Sequence, residues 1–182
     1  MTKIKIRAAT LNSIMKQFFA ILLVAFLAVT SGCQRINNKE VPNYTVHIDL
    51  GSHALWATYG VSGVGEHRIF DRAQRIPVNF AYNANTFTGY GGVLLIMGLD
   101  ISTGSYAPIA FDAACPVENR ANVRVSIDAS NLEAVCPQCK SRYNVLTGSG
   151  GPVSGRAYTS KYGLRMCSVH PSKLGGYIIT SK

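Results

Sequence analysis

The feature that most constrains this chain is the stretch Phe111–Ala157, which carries three of the five cysteines. Cys115 and Cys136 each open a Cys-Pro turn after an apolar lead-in, and Cys139 closes a Cys-x2-Cys at the second turn. Between the turns, Val123, Val125 and Ile127 alternate with Arg124 and Ser126, which predicts a strand. Two cysteine loops joined by extended chain aim thiolates at one point from two directions. Cys-x2-Cys is the spacing of a metal knuckle, and a knuckle needs a second one. Cys115-Pro-Val-Glu118 repeats the register of Cys136-Pro-Gln-Cys139, so Glu118 stands where a fourth ligand is wanted. From spacing alone Cys115, Cys136 and Cys139 leave open a structural zinc site, or no metal and a disulfide across the loops.

The surrounding sequence predicts an all-β antiparallel domain. Tyr44, Val46, Ile48 and Leu50 alternate with Thr45, His47 and Asp49. Ala54–Tyr59 and Arg75–Phe80 read as further strands, Val93–Met97 as a fully buried one, and Tyr162–Val169 with Tyr177–Thr180 as a closing pair. No segment after Cys33 shows a convincing helical period. Glycine-punctuated short strands of this kind build a sandwich or small barrel. Cys167-Ser-Val-His170 copies a Cys-x2-His spacing, but it lies in a predicted strand rather than a loop and is not expected to supply a ligand.

The first 33 residues read as a targeting segment. Lys3, Lys5, Arg7 and Lys16 precede an apolar run over Phe18–Val29, too short to span a bilayer comfortably. Thr30-Ser31-Gly32-Cys33 resembles a bacterial lipobox, with Thr30 where Leu or Val is usual; the alternative is a plain cleaved signal in which Cys33 is incidental. Met15 also looks like a natural start. The organisation expected is thus residues 1–33 as a lipoprotein signal, 34–42 as a polar tether and 43–182 as the folded domain. Four of the eighteen Lys and Arg precede Cys33 and none of the nine acidic residues does, so +9 falls to +5 beyond it. The remaining cations are scattered, which argues against a nucleic-acid partner. The expected location is the cell envelope, lipid-anchored through Cys33 on the periplasmic side of an outer membrane.

Residues 111–179 resemble a Rieske-type iron–sulfur domain. Cys115 and Cys136 match that family's cluster cysteines, Ser141 and Tyr143 stand at the expected offsets, Gly148 matches its turn glycine, and Gly155-Arg156-Ala157 resembles its Gly-Pro-Ala. The resemblance implies a Rieske-like β fold with two cysteine loops at one end, a [2Fe–2S] cofactor, and electron transfer with a redox partner protein. The ligand set departs from the family. Val117 and Cys139 occupy the positions of its two histidines, and Arg120 and Gln138 those of its loop–loop disulfide. A centre without imidazole would lack the raised potential of a Rieske site. The alternative is a zinc-stabilised or cluster-less binding module of the envelope. With no Gly-x-Ser-x-Gly, no HExxH and no convincing carboxylate pair, a hydrolytic enzyme ranks last.

Overall fold

A computed structural model describes residues 35–100 and 103–182. The expected signal segment, with Met15 and the expected lipidation site Cys33, lies outside the described residues. From Ile36 onward the chain forms one compact unit, and among the described residues no helix is long and apolar enough to cross a membrane.

The unit is all-β and antiparallel. Seven strands form the large sheet: β1 (Val46–Ser52), β2 (His67–Phe70), β3 (Phe87–Thr88), β4 (Val93–Asp100), β5 (Ser105–Asp112), β10 (Met166–Pro171) and β11 (Gly175–Ser181). They run in the order β2-β4-β5-β10-β11-β1-β3, and the sheet nearly closes into a barrel. A second sheet holds β6 (Ser126–Asp128), β7 (Glu133–Val135), β8 (Arg142–Asn144) and β9 (Pro152–Ser154) in sequential order. Strands β5 and β10 are neighbours, with Phe111 opposite Met166 and Ala110 opposite Cys167. The small sheet and both cysteine turns are therefore one excursion, leaving the large sheet after Asp112 and returning at Arg165. The Asp112 N–H donating to the Arg165 carbonyl at 2.8 Å closes its neck.

The continuous apolar run of β4 is explained by burial on both faces. Leu94 and Ile96 pack with Phe111, Tyr143, Leu164 and the cysteine loops; Val93 and Leu95 pack with Ile48, Leu50, Phe70 and Ile179. Each fully buried side chain of this size contributes roughly 1.5–3 kcal/mol by removal from water. The same alternation separates Cys167 from the cysteine loops, since it faces the second core while Leu164 and Met166 face the first.

Three local expectations change. Ala54–Tyr59 is helical, within α1 (His53–Tyr59), because Ser52 caps it by accepting the Leu55 N–H at 3.2 Å. Arg75–Phe80 is a loop: Arg75 and Asn79 are left-handed at φ 55° and 66°, which no strand accommodates, and Val78 is exposed. The polar segment before Pro42 is docked rather than free. Asn38 Nδ2 donates to the carbonyls of Ser149 and Leu164, Arg165 donates to those of Lys39 and Val41, and Val41 is fully buried. Any tether is thus confined to the residues before Ile36. A second short helix, α2 (Arg156–Ser160), follows Gly155.

Candidate metal centre

The two Cys-Pro turns fold alike. The Cys115 carbonyl accepts the Asn119 N–H at 2.8 Å, and the Cys136 carbonyl accepts the Lys140 N–H at 3.1 Å. The fifth residue of each turn, Asn119 and Lys140, is left-handed at φ 46° and 59°. The cysteine N–H groups are fixed too, that of Cys115 to the Val123 carbonyl at 2.9 Å and that of Cys136 to the Ser141 carbonyl at 3.0 Å. Below the first turn, buried Asp112 accepts the N–H groups of Tyr90, Gly91 and Ala114 at 2.7–3.0 Å. Beside the second, Arg142 pairs with Asp128 and Glu133.

This frame brings the sulfurs of Cys115, Cys136 and Cys139 within 4.8 Å of one another. Cys115 and Cys136 are fully buried and Cys139 partly so. Cys115 and Cys139 are 3.6 Å apart, far beyond the roughly 2.05 Å of a disulfide, and all four described cysteines are free thiols. Tetrahedral zinc–sulfur bonds of about 2.3 Å place two sulfurs on one ion about 3.8 Å apart, so the spacing suits a single ion. The donor set also calls for a cation. At an effective dielectric near 20, two thiolates about 4 Å apart repel by roughly 4 kcal/mol, a repulsion that a bound cation offsets.

The thiols differ in acidity. Burial pushes Cys136 up to about 12, against the backbone N–H groups of Cys139 and Gln138. Cys139 moves the other way: burial opposes ionisation, but the Ser141 hydroxyl and N–H, then Cys136 and Cys115, outweigh it and hold the thiol below its ordinary value. The Cys139 thiol donates to the Ser141 oxygen at 3.2 Å, and that oxygen also accepts the buried Ala157 N–H at 3.1 Å. Gly155 allows this approach. Its φ is +77°, and a Cβ there would lie 2.9 Å from the Ser141 Cα. The Tyr143 hydroxyl sits 3.4 Å from the Cys115 sulfur, and burial, then Cys115 itself, raise its pKa and keep it protonated.

Glu118 is not in the group. Its carboxylate pairs with Arg120 at 3.2 Å and Arg156 at 3.6 Å. Arg120 also donates to Gln138 of the other turn, so the loops are cross-tied through a guanidinium. Val117 is partly buried and packs against the first core. His170 is exposed on β10 with its Nε2 3.2 Å from the Thr180 hydroxyl, and it is not part of the three-cysteine group. The Ser at Cys139+2 was the one sequence signal for the Ser141–Ala157 contact, and the Arg120–Gln138 contact was signalled by the two residues standing at the disulfide positions of the family the loops resemble.

No family model matches the chain, and no curated protein or solved structure does.

Proposed function

We propose that this is a non-enzymatic metal–thiolate domain of the cell envelope, in which Cys115, Cys136 and Cys139 hold one metal ion that staples the two loops. The observation that carries this reading is the convergence of the three sulfurs within 4.8 Å in a pre-tied frame. A fourth coordination position is left for water or an outside ligand. Zinc there would staple the loops without carrying electrons; iron would make the same site a one-electron carrier. Anchoring through Cys33 belongs to the same proposal and rests on the lipobox-like sequence. A Cys33→Ala protein should move to the soluble fraction, and its retention on membranes would remove the anchor.

A [2Fe–2S] cluster and electron transfer with a partner protein form the second reading. Hydroxyls of Ser141 and Tyr143 face two of the sulfurs, and Arg120 meets Gln138 where Rieske-type domains carry their loop–loop disulfide. A two-iron cluster distributes four ligands over two metals. Three sulfurs crowded within 4.8 Å and an engaged Glu118 suit a single ion better. Anaerobic purification followed by metal analysis and a visible spectrum separates the readings. One metal per chain without acid-labile sulfide supports the single ion, and two irons with two sulfides support the cluster. A metal-free protein with Cys115, Cys136 or Cys139 oxidised sinks both.

A further inference from the structure

Away from the cysteine loops, sixteen residues connect β2 to β3 without a helix or strand of their own. Loops longer than about 12–15 residues are uncommon in compact domains and are usually functional or disordered. This one is ordered by a dense set of internal bonds. Asp71 and Ile76 exchange backbone hydrogen bonds at 2.8 and 3.1 Å, and the Asp71 carboxylate accepts the Ala73 and Gln74 N–H groups. The Tyr82 hydroxyl donates to the Ile76 carbonyl, and that of Tyr59 to the Asn79 carbonyl at 2.8 Å. Phe80 is wedged edge-on against Phe70, Tyr59 and Tyr82.

The loop encloses a cleft of about 650 Å³, lined by Arg72, Arg75, Val78, Phe80 and Tyr82 among others. That volume is in the range of small-molecule sites, roughly 300–1,000 Å³. Its electrostatics are one-sided. Among the described residues neither Arg72 nor Arg75 pairs with a carboxylate; the nearest in sequence, Asp71, is committed to Arg124 at 2.7 Å. Arg72 spends one donor on the Thr86 carbonyl at 2.9 Å, and among the described residues the rest of its fork and the Arg75 side chain have no partner. Arg75 moreover occupies a left-handed conformation that favours Gly or Asn, a local cost consistent with a side chain held for use. Guanidinium forks match the oxygens of carboxylates and phosphates, while Val78 and Phe80 offer apolar contact.

We propose that the β2–β3 loop cleft binds a small organic oxyanion, a carboxylate or phosphate on an apolar or aromatic body, with Arg72 and Arg75 holding the charged group and Val78 and Phe80 the body. The site lies beside the second core, on the opposite side of β4 from the cysteines, and does not depend on how the metal question is answered. Calorimetric titration of the purified protein with benzoate, phenyl phosphate and neutral benzyl alcohol tests it. One or both anions should bind saturably at one site per chain, and the alcohol at least ~10-fold more weakly; the preferred anion tells carboxylate from phosphate. Arg75→Asn keeps a residue tolerant of the left-handed conformation and should weaken the bound anion ~10-fold or more, as should Arg72→Lys, whereas Lys173→Ala on the β10–β11 turn should change nothing. Absence of saturable binding of either anion, equal binding of the alcohol, or binding unchanged in Arg75→Asn with its fold intact by circular dichroism overturns the proposal.

Discussion

The two cysteine turns share a backbone and part company at the fourth side chain. Both begin Cys-Pro, both close from the first carbonyl to the fifth N–H, and both place a left-handed residue fifth. At the fourth position one turn has Cys139, whose sulfur joins the cluster, and the other has Glu118, whose carboxylate turns to Arg120 and Arg156. The lesson is that a turn can present a ligand position without filling it. What decides is the partner chemistry around the side chain. A thiol surrounded by Ser141 and two other sulfurs stays in the site; a carboxylate offered two guanidinium groups leaves it.

The sharpest way to break this comparison is to remove a sulfur from one turn and the carboxylate from the other. Losing a residue that merely supports a ligand typically costs 10–100-fold in metal affinity, so Cys136→Ser should cost ~100-fold or more and Glu118→Gln less than ~3-fold, read by competition with a chromophoric chelator. Equal losses would make Glu118 a ligand. The reverse substitution sharpens it. Glu118→Cys completes a second knuckle, and cobalt(II) bound to it should show a stronger sulfur-to-metal charge-transfer band and roughly 10-fold or greater affinity. An unchanged cobalt spectrum would mean that the fourth side chain alone does not decide whether a turn supplies a ligand.

The acidity of the thiols gives a smaller effect. In reduced, metal-free protein near neutral pH, Cys139 should alkylate first and Cys136, pushed up to about 12, far more slowly. Ser141→Ala should slow Cys139 alkylation several-fold by raising its pKa, and should cost about 1–3 kcal/mol by leaving the buried Ala157 N–H without its acceptor. Uniform alkylation rates would contradict the assigned environments.

How the turns are anchored predicts opposite responses to acid. Beside the second, Asp128 is held down to about 2 by the Ser130 hydroxyl and Arg142. Its contribution is full above the unfolded carboxyl value near 3.9 and is lost as pH falls through about 2. Beneath the first, burial raises Asp112 against the pull of the Ala114, Tyr90 and Gly91 N–H groups. Its contribution is full below the unfolded value and declines as pH rises through the folded one. Between about pH 4 and 2, amide exchange should therefore accelerate at Arg142–Asn144 before it does at Gly91 and Ala114. Simultaneous loss would show the loops to be one cooperative unit.

Much of the fold was legible because burial imposes a period. Val46, Ile48 and Leu50 alternate because one face of β1 is core, and β4 reads as unbroken apolar sequence because both of its faces are. The same reasoning set Cys167 apart from the cysteine turns. What sequence could not show was decided by single backbone angles or distant partners. Alternation over Arg75–Phe80 mimics a strand, but left-handed Arg75 and Asn79 turn it into a loop. Helix α1 is too short to display a period, and Ser52 alone marks its start. Asn38 looks like a solvated tether residue until its backbone acceptors, 111 and 126 residues away, are in view. Glu118 stood in ligand register, and nothing local revealed that Arg156 of α2 would meet it.

The central claim is that three thiolates meet on one ion. X-ray absorption at the metal edge of protein purified without oxygen tests it most directly. Three sulfur scatterers at about 2.3 Å, a lighter fourth atom and no metal–metal distance are expected. A metal–metal scatterer, fewer than three sulfurs, or no bound metal at all would contradict it.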